Sequence, residues 1–146
     1  MTTGADEVRV EVVGVFEQDV AVGEEQHRIP VVLLRDLIAP PSREVRVPIG
    51  SCEALAIQVA LEARHLPRPL THDLALRLLD KLSARLDRVV VDGLSGHHVH
   101  ATLYLQAAEG EIEMGARPGD AVALALRADV PVLVKDDILA GGSETA

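Results

Sequence analysis

The chain has 146 residues, 48% of them apolar and 25% charged, with a net charge of −9. This is the make-up of one soluble globular domain large enough for a core, and a lone cysteine, Cys52, excludes an internal disulfide and the usual zinc-ribbon spacings. One Phe, one Tyr and no Trp leave the core to Val, Leu, Ile and Ala, and a pI of ≈ 5.0 excludes a chain that grips long nucleic acid through an overall basic charge.

The charge is unevenly spread. Residues 1–25 hold seven acids against one Arg, residues 26–92 hold ten bases against eight acids, and residues 93–146 hold eight acids against three bases. Contact with a polyanion is therefore expected near the middle of the chain or through a metal. No apolar run approaches the roughly 20 residues that span a bilayer. The N-terminal residues lack the basic and apolar regions of a signal peptide. No membrane association and a cytoplasmic location are expected.

Val8 to Phe16 alternates and is rich in β-branched residues, which predicts a strand with one wet face. Gln18 to Gln26 is acidic, contains Gly23 and reads as a loop or hairpin turn. Ile29 to Leu34 reads as a buried strand, Ile38 to Ser42 as a turn and Glu44 to Ile49 as a short strand ending at Pro48. The three strands form an antiparallel meander. A helix over residues 51–63 follows, with Ser51 as its N-cap. Its residues 54–61 are apolar nearly all round, which places it inside the fold or under a partner subunit. Glu53, in its first turn, either complements the helix dipole or belongs to a site.

Residues 64–69, Arg-His-Leu-Pro-Arg-Pro, form a stiff basic connector, since neither proline fits a helix interior. Thr71 is placed to cap the next helix, with Asp73 in its first turn. Leu74, Leu78 and Leu82 lie at i, i+4 and i+8 and form its apolar stripe, beside Ala75 and Leu79 and opposite Arg77, Asp80 and Lys81. Capping accounts for Thr71 and Asp73; it leaves Arg68 and His72, in the same turn, unexplained.

Leu86 to Asp92 reads as a strand and Gly93 to Gly96 as a turn. His98 to Ala107 is a strand with His98, His100, Thr102 and Tyr104 on one face. Two imidazoles there are one short of a diagnostic metal set, and solvated histidines are the plainer reading. Glu111 to Met114 is a last hairpin strand. Arg117-Pro118-Gly119-Asp120 then opens an apolar helix over residues 117–127, with Pro118 at its start and Asp120 as cap or site carboxylate. Pro131 to Val134 is a buried strand and Asp136 to Ala140 a short terminal helix. The fold class is α+β: a mixed, largely antiparallel sheet with two main helices packed on it, in the order β-β-β-α-α-β-β-β-α-β-α. Residues 1–140 form a single domain and residues 141–146 a flexible tail.

Three stretches carry a resemblance. Residues 49–54 read Ile-Gly-Ser-Cys-Glu-Ala and residues 68–73 read Arg-Pro-Leu-Thr-His-Asp. Residues 116–121 read Ala-Arg-Pro-Gly-Asp-Ala, followed by Leu124-Ala125-Leu126-Arg127. In that order and spacing, over about Val8 to Leu139, they resemble the bifunctional nuclease domain family. The resemblance implies a compact α+β domain that self-associates, some of whose relatives cleave both RNA and DNA. It also marks departures: Gly119 stands where a serine is usual, which removes a hydroxyl from the second helix mouth. Met114-Gly115 stands where an acidic residue is common, with Glu113 as a replacement in a different direction.

Phosphodiester hydrolysis needs a base to activate water, cations for the charged transition state and carboxylates for a metal. His72 is the candidate general base or acid, and Glu53, Asp73 and Asp120 are the candidate catalytic carboxylates, able to hold a divalent metal such as magnesium. Arg68, Arg117 and Thr71 are the candidates for binding substrate phosphate, because a guanidinium fits it bidentately. The alternatives are a non-catalytic, self-associating module that binds a small anionic ligand or a protein partner, and a purely structural role in which Arg68 and Arg117 form buried ion pairs with Asp73, Asp120 or Glu53.

Overall fold

The computed structural model describes residues 6–38, 42–95 and 98–141. The strands are β1 (Glu7–Val22), β2 (Glu25–Asp36), β3 (Glu44–Pro48), β4 (Arg85–Ser95), β5 (His98–Ala107), β6 (Gly110–Ala116) and β7 (Val132–Lys135). The helices are α1 (Ser51–Leu61), α2 (Thr71–Lys81), α3 (Pro118–Ala128) and α4 (Asp136–Gly141). The order is the one the sequence pattern predicts, and the class is α+β.

All seven strands join one sheet in the order β3-β2-β1-β7-β4-β5-β6. Every pairing is antiparallel except β4 with β7. The short β7 lies between the two halves of the sheet and bonds β1 on one side and β4 on the other. Lys135 Nζ reinforces the β1 side with 3.1 and 3.2 Å bonds to the Asp6 carboxylate.

Alternation along the strands sends Val8, Val10, Val32, Leu34, Val89, Val91, Leu103 and Leu105 to one face, where they meet Ile57 of α1 and Ala121 to Ala125 of α3. A bulge between Val12 and Gly14 resets the alternation, so Val15 joins the same face. α3 is the central helix, touching α1, α2 and strands β3, β4 and β5. Its run of alanines lets those neighbours approach closely, which suits a core with almost no aromatic rings. On the opposite face the Arg88 guanidinium lies 3.8 Å from the centre of the Tyr104 ring.

Several local expectations are corrected. The hairpin turn expected within 18–26 is present at Gly23 and Glu24 but is shorter: β1 and β2 pair as far as Val22 with Glu25, and Gly23 takes φ +64°. The valines at alternate positions sustain the ladder through the acids. β4 continues through Gly93 to Ser95 instead of turning there. α1 is not enclosed within its own chain: Glu53, Ala56, Ile57 and Val59 face inward, while Leu55 and Leu61 are exposed. Most of the expected turn over 38–42, and Gly96, lie outside the described residues. Of the expected tail, Gly141 closes α4 and the rest lies outside them.

The largest correction concerns α2. Its Leu74, Leu78 and Leu82 stripe points outward, 52%, 55% and 76% exposed, while Ala75, Leu76 and Leu79 pack on the core. The helix lies at the flank of α3 and offers two apolar faces where the sequence pattern suggested one. None of the described helices is long and apolar enough to cross a membrane.

Asp36, at the end of β2, is buried and holds the sheet edge to β3 and α4. It accepts the Ile38 N–H at 2.8 Å and the Arg43 Nη2 at 2.9 Å, and Arg43 reaches on to Asp136 at 2.7 Å. The Ile38 amide first, then the Arg43 guanidinium, hold its carboxyl below the usual carboxylate range. A carboxylate depressed in the folded state stabilises above its ordinary pKa of about 3.9 and loses that contribution as pH falls through its lower folded value. Asp36→Asn is therefore expected to cost about 1–3 kcal/mol at pH 7. In thermal melts across pH, its gap from wild type is expected to narrow below about pH 4.

Candidate active site at the helix mouths

Glu53 is the third residue of α1, whose N-cap is Gly50 rather than Ser51; Ser51 is already helical. The Glu53 side chain is buried, the residue being only 5% exposed. Two glycines make that possible. A Cβ on Gly50 would collide with Glu53 Oε2, and one on Gly119 would stand 2.7 Å from Glu53 Cβ and 3.0 Å from Ile49 Cγ2. The openings of α1 and α3 thus meet face to face across Glu53. With Glu53 in this place, a β-carbon at position 119 would force its neighbours to shift.

The N-cap of α2 is Leu70, which leaves Thr71 as the first helical residue, exposed and not a cap. The capping role falls to Asp73, whose Oδ2 accepts the Leu70 N–H at 2.9 Å. His72 and Asp73 then part, because consecutive helical residues diverge by about 100°. His72 turns to α3, where its Nε2 lies 2.7 Å from Asp120 Oδ1. Asp73 meets α3 two turns further along, where it accepts from Arg127 Nε at 3.0 Å. Arg127 is itself nearly buried and donates to the Ala123 carbonyl, so this pair is a structural tie between α2 and α3.

Asp120, also the third residue of its helix, uses its carboxylate outside the backbone cap. Oδ2 accepts from Arg117 Nε at 3.3 Å, and Arg117 Nη2 stands 3.6 Å from Glu53 Oε1. The result is a connected chain of His72, Asp120, Arg117 and Glu53 drawn from all three main helices. Its members run from buried to open: Glu53 lies inside, His72 and Asp120 are partly covered, and the Arg117 side chain is 74% exposed. Outward from Glu53 and Arg117 opens a cleft of ≈ 350 Å³ that reaches Ile29 on β2 and His98 at the start of β5.

Of the expected set, Glu53, His72, Arg117 and Asp120 converge, whereas Asp73, Arg68 and Thr71 do not join them. Arg68 lies beyond Asp73 in a different cleft, with Arg127. The trio Glu53, Asp73 and Asp120 therefore does not form a metal cage, and among the described residues no three His, Cys, Asp or Glu side chains are placed to hold an ion. Glu113 is no replacement carboxylate: it pairs with Tyr104 on the sheet face away from the helices. Arg127, the partner of Asp73, had no role assigned from the sequence, and His98, read there as a solvated histidine, stands at the cleft wall. The angular divergence of His72 and Asp73 was available from helix geometry alone.

A family model for the bifunctional nuclease domain matches residues 32–145. Two uncharacterized proteins, one from each of two strains of Mycobacterium tuberculosis, are similar. Each is 38% identical over 117 residues, covering 80% of this chain and 68% of the relative. With the helix-mouth motifs inside the matched span, the chain belongs to the bifunctional nuclease domain family.

Proposed function

We propose that the chain is a cytoplasmic phosphodiester hydrolase acting on RNA or DNA, with the His72–Asp120 pair and Arg117 at its centre. The observation that supports this reading is the 2.7 Å bond of His72 to Asp120 beneath a guanidinium that is largely open to solvent. In the neutral imidazole, Nε2–H donates to Asp120, which leaves Nδ1 with the lone pair. Nδ1 takes a proton from water as the water oxygen bonds to phosphorus and the bond to the leaving oxygen breaks; the leaving oxygen takes a proton from solvent, and the imidazolium returns its own to solvent. Arg117 faces the charge that builds on the phosphoryl oxygens. Because water is the nucleophile, the 2′-hydroxyl is dispensable and both nucleic acids qualify. Asp120 positions the imidazole and stabilises its protonated form.

The test is cleavage of end-labelled single-stranded RNA and DNA by the purified protein, with magnesium and with a chelator, beside His72→Ala prepared identically. Scission by wild type alone supports the reading. Equal residual activity in both preparations marks a contaminant and removes the assignment of His72.

A second reading, a self-associating module without catalysis, draws on α2. The exposed Leu74, Leu78 and Leu82 give an apolar stripe that a second copy of the chain would cover. Leu78→Glu is expected to shift the sedimentation coefficient to that of a monomer with little change in melting temperature. An unchanged coefficient places any self-association elsewhere.

A further inference from the structure

A second cleft, of ≈ 630 Å³, lies on the other side of the first turn of α2 from the His72–Asp120 pair. Arg64, Arg68, Arg77 and Arg127 line it, and Asp73 is its one carboxylate. Four of the chain's 14 lysines and arginines thus gather in one depression of a molecule whose net charge is −9. Two of the four are already committed: Arg127 pairs with Asp73, and Arg64 with Glu62 at 3.3 Å. Arg68 and Arg77 are exposed and form no ion pair among the described residues. Apolar side chains, Val59, Leu76 and Leu126, share the lining with them. The prolines 67 and 69 restrict the backbone on either side of Arg68.

Guanidinium groups and apolar side chains lining one cleft suit a phosphate joined to a less polar body. The volume falls within the roughly 300–1,000 Å³ of sites that enclose one small molecule. We propose that this cleft is a nucleotide subsite, in which Arg68 and Arg77 hold the phosphate of a single-stranded nucleotide and the sugar and base lie over Val59, Leu76 and Leu126. Its use in catalysis rests on the hydrolase reading above. Asp73 lines this cleft while its neighbour His72 reaches Asp120, so a strand leaving the subsite crosses the mouth of α2 toward the reacting centre. Only a single strand fits this path, because one nucleotide must enter the cleft apart from any paired partner.

Adenosine 5′-monophosphate contains no phosphodiester bond, so its binding is separable from cleavage. Isothermal titration of wild type is expected to show binding of this nucleotide, weaker binding of inorganic phosphate and none of adenosine. Arg68→Gln with Arg77→Gln is expected to weaken nucleotide binding at least tenfold without lowering the melting temperature. If the double variant does not fold, Arg77→Gln alone is expected to weaken it several-fold. Wild type that does not bind the nucleotide, or variants that bind it unchanged, overturn the proposal. With a single-stranded ten-mer as substrate, the double variant is expected to raise KM and leave kcat near wild type. An unchanged KM alongside lost nucleotide binding overturns the role as a substrate subsite. Nucleotide binding that depends on Arg68 in a protein that cleaves nothing upholds the subsite and removes the hydrolase reading instead.

Discussion

Asp120→Asn is expected to lower the rate of phosphodiester cleavage by about 10²-fold or more, close to the loss expected of His72→Ala. The asparagine keeps the shape of the side chain and removes its charge. Its amide can also donate to His72 Nε2, which favours the tautomer that carries the proton on Nδ1, the nitrogen that has to accept one. The two substitutions act on one unit, so the double variant is expected to lose little more than His72→Ala alone. Arg117→Lys separates charge from shape: a lysine keeps the positive charge but cannot span Asp120 and a phosphoryl oxygen as a planar fork does. The measurement is single-turnover cleavage of a labelled strand, with melting temperatures recorded alongside. Full additivity of His72→Ala and Asp120→Asn would separate the two residues and defeat the dyad.

Gly119→Ser is expected to destabilise the protein by about 1–3 kcal/mol, because the new Cβ enters space held by Glu53 Cβ and Cγ and by Ile49. For a chain of this size that is a fall in melting temperature of about 3–10 °C. Glu53 cannot retreat easily, since these are the first carbons of its side chain and the α1 backbone would have to follow. Gly50 provides the contrast. There the obstructing atoms are the Glu53 carboxylate, at the end of a flexible chain, and Gly50 has a φ of −82° that alanine adopts without strain. Gly50→Ala is expected to leave the melting temperature within a few degrees of wild type while displacing the carboxylate from Arg117. Calorimetric melts of the two variants decide the matter: equal losses would mean that Glu53 is not the obstacle at both positions.

Much of this arrangement could be read from the sequence, because it rests on local rules. Alternation in β5 and the valine-rich β4 identify strands whichever neighbours they acquire. The paired Arg-Pro openings near residues 68 and 117 mark two helix mouths, and His72 and Asp120 do meet across them at 2.7 Å. What the sequence did not disclose depends on direction and neighbours. Asp73 has one partner in its own turn, the Leu70 amide, which was foreseeable as a capping function, and another, Arg127, which lies 54 residues away. The leucine stripe of α2 has helical periodicity whether it faces the core or the solvent, and only the position of the helix at the flank of α3 decides between them. The continuation of β1 as far as Val22, and of β2 back to Glu25, was hidden because acids occur both in loops and on solvent-facing strand positions.

The placement of β7 sets the order in which the chain can assemble. Among the described residues, strand pairing joins the β3-β2-β1 half of the sheet to the β4-β5-β6 half only through residues 132–135. On a ribosome, β1 emerges early and hydrogen-bonds to β2, yet its other edge has no partner until more than a hundred further residues have been made. That edge is rich in valine and open to pairing with another chain during the interval. Two half-sheets that form quickly from hairpins and join late through one short strand give a slow final step with a large separation in sequence. The Lys135 contact with Asp6 then acts as a latch between the two ends of the described chain.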